Sequence, residues 1–234
     1  MRETVEHGEP AGDACGLPAD EELALRSTLL DTLRAMGEAR LNVGTAGNAS
    51  VRLPAGKMLI SPSGVPAERC RPEDMAVVDG DGRHAGPLAP SSEWQLHRDI
   101  YAAFAAAGAV LHAHAPFATA LACQRLEIPP FHYMIARFGG ISVRCARYAT
   151  FGTQALSDAT VTALQARNAC LLANHGMVVF GRDLGHALAL AIEFETLCEQ
   201  YWRTLQLGPP VLLSEAEMAE VIERFRWYGK ARRA

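Results

Sequence analysis

The sequence predicts one α/β domain, a mixed sheet with helices around it. Three observations carry this. The chain has 234 residues, long for one average domain and short for two. Stretches with apolar residues at helical spacing are interleaved with short apolar runs bounded by turn residues. No internal repeat and no linker divides the chain, and runs joined by tight turns beside runs joined by helices give a mixed sheet. With 49 % hydrophobic and 21 % charged residues, a core can form without disulfides.

Residues 1–18, rich in Gly, Pro and acids, are expected to be a flexible extension, and 19–234 the domain, with a mobile C-terminal tail. Asp20 reads as an N-cap followed by Glu21 and Glu22 in a first turn. Leu23, Leu29, Leu30, Leu33 and Met36 then fall at helical spacing up to about Gly37. Leu41 to Leu53 (LNVGTAGNASVRL) is too rich in Gly, Asn, Thr and Ser for a helix, so it reads as a loop entering a strand at Ala49–Leu53. Lys57–Ser61 and Met75–Val78 read as strands, the latter ended by the Asp-Gly-Asp-Gly turn at 79–82. That run is a poor calcium loop, because the later glutamate of an EF-hand loop is missing. Ser91 and Ser92 suit the N-terminus of a helix over Glu93–Ala107. Strands are expected at Ala109–His114, Ile141–Cys145, Cys170–Ala173 and Met177–Phe180. Helices are expected at Pro116–Cys123, Thr153–Ala166 and Asp183–Gln206. Ser214 with Glu217 forms a capping box for a last helix reaching toward Tyr228.

Twenty-six acids against 22 bases give a net charge of −4, and no basic stripe suggests a nucleic-acid partner. Only Lys57 and Lys230 are lysines, so chemistry needing a buried, activated lysine has almost no candidates. Six scattered cysteines without a C-x-x-C are expected to be reduced and mostly buried, as in a cytoplasm. The N-terminus lacks the apolar core of a signal peptide. The apolar stretch Tyr101–Cys123 is interrupted by Gly108, His112, His114 and Pro116, which argues against a membrane span.

Four groups of residues could carry chemistry. His112 and His114 are two apart in a strand, so both imidazoles project to one face. His175, in Asn174-His175-Gly176 between two strands, could complete a three-imidazole set of the kind that leaves catalytic zinc an open position. Ser91-Ser92-Glu93 combines hydroxyls and helix N-terminal N–H groups with a carboxylate, which suits a phosphate and a proton. The turns Gly44–Asn48 and Ser61–Gly64 expose backbone N–H groups of the kind that cradle anions. Each group alone is equally explained by capping, turn chemistry or packing. Together they describe a metal, a nearby carboxylate and a lysine-free phosphate cradle, acting on a small phosphorylated substrate.

These stretches, with LISPSGVP, PSSEWQLH, VLHAHA, IPPFHYMIA, YATFGT, NHG and RFRWYG in order from about Leu41 to Gly229, resemble the class II aldolases of the adducin-like family, and among them the L-fuculose-1-phosphate aldolases. The resemblance implies a largely antiparallel sheet and specific roles. His112, His114 and His175 match the ligands of one Zn2+ per subunit, with Mn2+ or Co2+ as substitutes. Glu93 matches the acid/base carboxylate that also reaches the metal. Asn48, Ser63, Gly64, Ser91 and Ser92 match the phosphate site. Tyr133 matches a second acid/base reaching in from a neighbouring subunit, and Tyr228 a C-terminal tyrosine that closes over the aldehyde beside an apolar wall of Phe151 and Phe225. His97, His132 and His186 have no such match and read as structural. A cyclic homotetramer with sites at subunit interfaces is implied, and a cytoplasmic setting fits.

The implied reaction is reversible cleavage of a ketose 1-phosphate to dihydroxyacetone phosphate and an aldehyde. The leading candidate is L-fuculose 1-phosphate, giving L-lactaldehyde. The alternative is 5-deoxyribulose or 5-methylthioribulose 1-phosphate from nucleoside salvage. Epimerases and dehydratases of the same scaffold and a non-enzymatic adducin-like scaffold are weaker readings, the last because adducin-like scaffolds need no metal, whereas all three histidines and Glu93 are kept here.

Overall fold

The computed structural model describes residues 15–227. Its strands are β1 (Asn48–Arg52), β2 (Met58–Ile60), β3 (Ala76–Val78), β4 (His84–Ala85), β5 (Ala109–Ala113), β6 (Cys145–Ala146), β7 (Ala169–Leu172) and β8 (Gly176–Gly181). They form one sheet in the order β4-β3-β2-β1-β5-β8-β7-β6. Every pairing is antiparallel except β6 with β7. The helices are α1 (Ala19–Glu38), α2 (Trp94–Ala103), α3 (Pro116–Cys123), α4 (Gln154–Ala163), α5 (Leu184–Leu207) and α6 (Glu215–Phe225). The mixed, largely antiparallel sheet flanked by helices is as expected.

Alternation along the strands sets the layers. Ala109, Leu111 and Ala113 of β5 join Met177 and Val179 of β8 in one apolar cluster, which includes Leu29 and Met36 of α1, Leu121 of α3 and Phe194 of α5. Val110 of β5 joins Val178 and Phe180 of β8 in a second cluster, under Leu96 and Ile100 of α2 and Leu156 of α4. The sheet is therefore buried on both faces. His112 has the parity of Val110 and points to the α2 face, directly across from Asn48 of β1.

Several boundaries differ from expectation for identifiable reasons. Cys15 is fully buried and Leu17 packs on the same cluster, so residues 15–18 belong to the domain rather than to a flexible extension. Residues 1–14 lie outside the described residues. α1 starts at Ala19 behind Pro18, not at an Asp20 cap. Glu93 rather than a serine is the residue before α2, and its side chain does not cap the helix. α2 stops at Ala103 although alanines continue, because Arg52 takes the carbonyls of Tyr101, Phe104 and Ala107 at 2.7–2.9 Å and Phe104 stacks on Phe180. The expected strand Ile141–Cys145 shrinks to Cys145–Ala146, because Val143 exchanges both backbone hydrogen bonds with Ile128. β4 and the 3-10 turn at Tyr133–Phe138 are too short to leave a periodic signature. No helix among the described residues is long and apolar enough to cross a membrane.

α3 has no side-chain cap of its own at Ala115. Glu195 of α5 fills that role, accepting from the backbone N–H groups of Phe117 (2.8 Å) and Ala118 (2.9 Å). It thereby anchors the helix that leaves the His112–His114 strand. Glu195→Ala is expected to lose about 1–2 kcal/mol of stability, the usual cost of a lost N-terminal cap. An unchanged urea midpoint would show that the carboxylate does not hold α3.

Candidate active site

The three histidines converge from two adjacent strands. His112 ends its run inside β5, His114 follows one residue beyond it, and His175 sits in the turn from β7 to β8. That turn is tight: Asn174 has φ 54°, and Gly176 lies so close to β5 that a Cβ there would meet the Ala113 carbonyl at 2.4 Å. The ring centroids stand 4.7–5.0 Å apart, and one nitrogen from each lies within 4.8 Å of the others.

The hydrogen bonding of His112 sets what the group can do. Nδ1 faces the Met177 carbonyl at 2.9 Å, and a carbonyl only accepts, so Nδ1 carries the proton. Nε2 then presents a lone pair, 3.0 Å from His114 Nε2 and 3.2 Å from Glu93 Oε2. Glu93 Oε1 is 3.4 Å from His175 Nε2, is buried, and has no hydrogen-bond partner. Burial, helped by the neighbouring imidazole of His114, pushes His112 down to about 3. Burial and then His112 push His175 down to about 4 against the attraction of Glu93. Burial likewise lowers His114. At neutral pH the rings are uncharged, so no imidazolium compensates the buried carboxylate. A neutral lone pair facing a carboxylate oxygen, with an orphaned second oxygen beside it, fits a bound cation.

These groups border a cleft of about 370 Å3. Its lining includes Gly47, Asn48, Ser63, Gly64, Ser91 and Ser92. Far apart in sequence, the two serine turns are brought together because Ser91 N–H donates to the Ser61 carbonyl (2.9 Å) and Ser63 N–H to the Ala89 carbonyl (3.0 Å). Gly47 is required there: its φ is +74° and a Cβ would run into the Asn42 side chain. Tyr148, Ala149 and Phe151 line the cleft as well. Among the described residues no lysine or arginine lines it.

Most of the residues singled out by sequence thus meet in one place. Asn48 faces the cleft, but its Nδ2 donates to Glu93 Oε2 at 3.1 Å. Tyr133 and Phe225 lie outside the lining and stack on each other, with centroids 6.4 Å apart. Tyr228 lies outside the described residues. Three residues escaped sequence reasoning. Asn42 accepts from the His114 backbone at 3.2 Å, Tyr148 lines the cleft, and His97 stands behind Asn48. His97 lies one helical turn from Glu93, which was its only signal. The protein as purified is expected to hold about one divalent ion per chain, and a His112→Ala/His114→Ala double variant to hold almost none. Full occupancy of the double variant by elemental analysis would remove these side chains as ligands.

Comparison with known proteins gives a consistent result. Residues 27–202 match the Class II Aldolase and Adducin N-terminal domain. A 5-methylthioribulose-1-phosphate/5-deoxyribulose-1-phosphate aldolase of Rhodospirillum rubrum is 50 % identical over 88 % of this chain and 93 % of its own. An L-fuculose phosphate aldolase of Escherichia coli K12 is 44 % identical over 89 % of this chain and 97 % of its own. A solved L-fuculose 1-phosphate aldolase superposes with a TM-score of 0.85 at 35 % identity, over 92 % of this chain and all of that one. The chain belongs to the class II aldolase and adducin family, and within it to the aldolases.

Proposed function

We propose that this protein is a zinc-dependent ketose-1-phosphate aldolase that reversibly releases dihydroxyacetone phosphate and an aldehyde. The observation that carries the reading is the single cleft joining three neutral imidazoles and a buried carboxylate to a cationless cradle of Ser, Gly and Asn. C–C cleavage leaves negative charge beside a carbonyl. A lysine Schiff base could take it up, but Lys57 does not line the cleft and Lys230 lies outside the described residues. A divalent ion held by His112, His114 and His175, with Glu93 as a further ligand before substrate enters, supplies a Lewis acid for that charge.

The chain's own groups do the rest. Hydroxyls of Ser63, Ser91 and Ser92, with the Gly64 backbone and Asn48, take the phosphate, so its charge meets N–H and O–H dipoles rather than ammonium groups. Glu93 moves the proton at the carbon next to the substrate carbonyl. Tyr133 is half-exposed and away from its own chain's cleft. It serves as the second acid/base in a neighbouring chain's site, giving or taking the proton of the aldehyde-side hydroxyl. On this reading the enzyme works as a homotetramer with sites between subunits. Phe151 walls the aldehyde end, while Phe225 and Tyr228 belong to the C-terminal segment that completes it. The thiols, none of them disulfide-bonded among the described residues, suit a cytoplasmic setting.

For the aldehyde portion, the more similar relative and the apolar wall favour 5-deoxyribulose or 5-methylthioribulose 1-phosphate. L-Fuculose 1-phosphate is the second reading, supported by the 44 % relative and the solved structure. Glu93→Gln is expected to lose about a hundredfold or more in kcat, and turnover near that of the unaltered enzyme would dismiss Glu93 as the acid/base. Triose-phosphate release from fuculose, rhamnulose, 5-deoxyribulose and methylthioribulose 1-phosphates, ranked by kcat/KM, decides the substrate. The 5-deoxypentuloses are expected first, and release from none of the four would end the aldolase reading.

A further inference from the structure

Behind the cleft a file of buried polar side chains runs from α2 through β1 to Glu93. Tyr101 Oη and Ser50 Oγ are 2.7 Å apart, Ser50 Oγ and His97 Nδ1 2.7 Å, and His97 Nε2 and Asn48 Oδ1 2.5 Å. Asn48 Nδ2 then reaches Glu93 Oε2. Ser50 and His97 are fully buried, and Asn48, Glu93 and Tyr101 are at most 7 % exposed. A serine on the buried face of a central strand has no packing advantage over alanine or valine, so the file requires another reason.

Its direction follows from the carboxylate end. Asn48 Nδ2 donates to Glu93 Oε2, which leaves Oδ1, an acceptor only, toward His97. Nε2 of His97 must then be the donor. His97 is kept neutral by burial, with a smaller contribution from His112, so it has one proton and Nδ1 is an acceptor. Ser50 therefore donates to Nδ1, and Tyr101 donates to Ser50. Every proton in the file points toward Glu93. The outer end is pinned by Arg52, whose Nη2 holds the Tyr101 carbonyl at 2.7 Å and whose guanidinium lies 4.8 Å from the Tyr101 ring centre.

We propose that His97, oriented by Ser50 and Tyr101, is a positioning residue that locks the Asn48 carboxamide with its NH2 toward Glu93 and so aims the carboxylate at the substrate proton. A carboxamide flips at little cost unless its two ends are told apart, and the flipped form would set Oδ1 against Glu93. The proposal rests on the reading of Glu93 as the acid/base, and the test separates the two.

The kinetic test is a double-mutant cycle of His97→Leu with Glu93→Gln on the metal-loaded enzyme. His97→Leu alone is expected to lower kcat by about tenfold to a hundredfold, the scale of one lost buried hydrogen bond, with a smaller change in KM. It should add little in the Glu93→Gln background, because the group it aims is already gone. An equal further loss there would make His97 merely structural and overturn the proposal, as would an undiminished kcat in His97→Leu. If Glu93→Gln itself keeps full activity, the acid/base reading fails and the proposal falls with it. Should His97→Leu not fold, His97→Gln and His97→Asn decide. The longer amide can donate to Asn48 as Nε2 does and is expected to retain most of kcat. The shorter one reaches only the Ser50 side and is expected to lose it, and equal kcat values would overturn the proposal. A readout independent of activity is the ring tautomer in 15N-histidine-labelled protein, with His97 signals assigned by their loss in His97→Gln. Protonated Nε2 with bare Nδ1 is expected, and the opposite tautomer overturns the assignment.

Discussion

The hydrogen bond from His112 Nδ1 to the Met177 carbonyl constrains everything else in the site. It is made between the paired strands β5 and β8, so the sheet itself selects the tautomer. Once Nδ1 holds the proton, Nε2 must offer a lone pair toward Glu93 and His114. Burying a carboxylate costs several kcal/mol unless it is paired, and burial lowers the proton affinity of the His112 and His175 rings that face Glu93. Fold and chemistry therefore meet in one corner: the three imidazoles stand as a group that could hold a metal ion, with the Glu93 carboxylate beside them. The register that brings Asn48 opposite His112 then puts a donor beside that imidazole, and both face Glu93 Oε2.

The scarcity of lysine is consistent with that arrangement. On the proposed reading the phosphate meets no ammonium group among the described residues, which weakens binding through charge, but the backbone N–H dipoles that face it are held in place by the fold. The serine turns are tied to each other through Ser61, Ser63 and Ser91, and Gly47 can be nothing larger. A net charge of −4 is no obstacle to an anionic substrate when the local field comes from oriented dipoles and a metal.

What the sequence shows and what it hides divide along range. His112 and His114 were legible because a strand's two-residue period is local, and Glu93 because it follows two serines at a helix start. The doubly buried sheet was legible from short apolar runs. The end of α2 was not, since alanine propensity favours continuation and it is stopped by residues remote in sequence, Arg52 and Phe180. His97 was set aside as structural because its meaning depends on Asn48 and Ser50, which a different strand delivers. Tyr133 and Phe225 carry roles implied by resemblance alone, and one chain does not bring them to the cleft. Residues 15–18 looked like tail because two apolar side chains among Gly and Pro leave no period, yet Cys15 fills a place in the core.

Substrate choice, on the proposed reading, cannot reside in the cleft of one chain alone. The candidate aldehydes share their reactive carbonyl and differ only by a hydroxyl, a methyl or a methylthio group. An apolar wall such as Tyr148–Phe151 separates such groups weakly: one methylene is worth about 10–200-fold, and an added hydroxyl is rejected only about a hundredfold. Phe151 is 64 % exposed, so its wall is open on one side and realises less than that. Strong discrimination needs groups left unpaired by the wrong substrate, which means a closed site with polar atoms at the aldehyde end. On the proposed reading Tyr133 of a neighbouring chain supplies such an atom. On that reading the groups for chemistry sit at the strand ends of the sheet, and those for specificity in the parts that assemble around it.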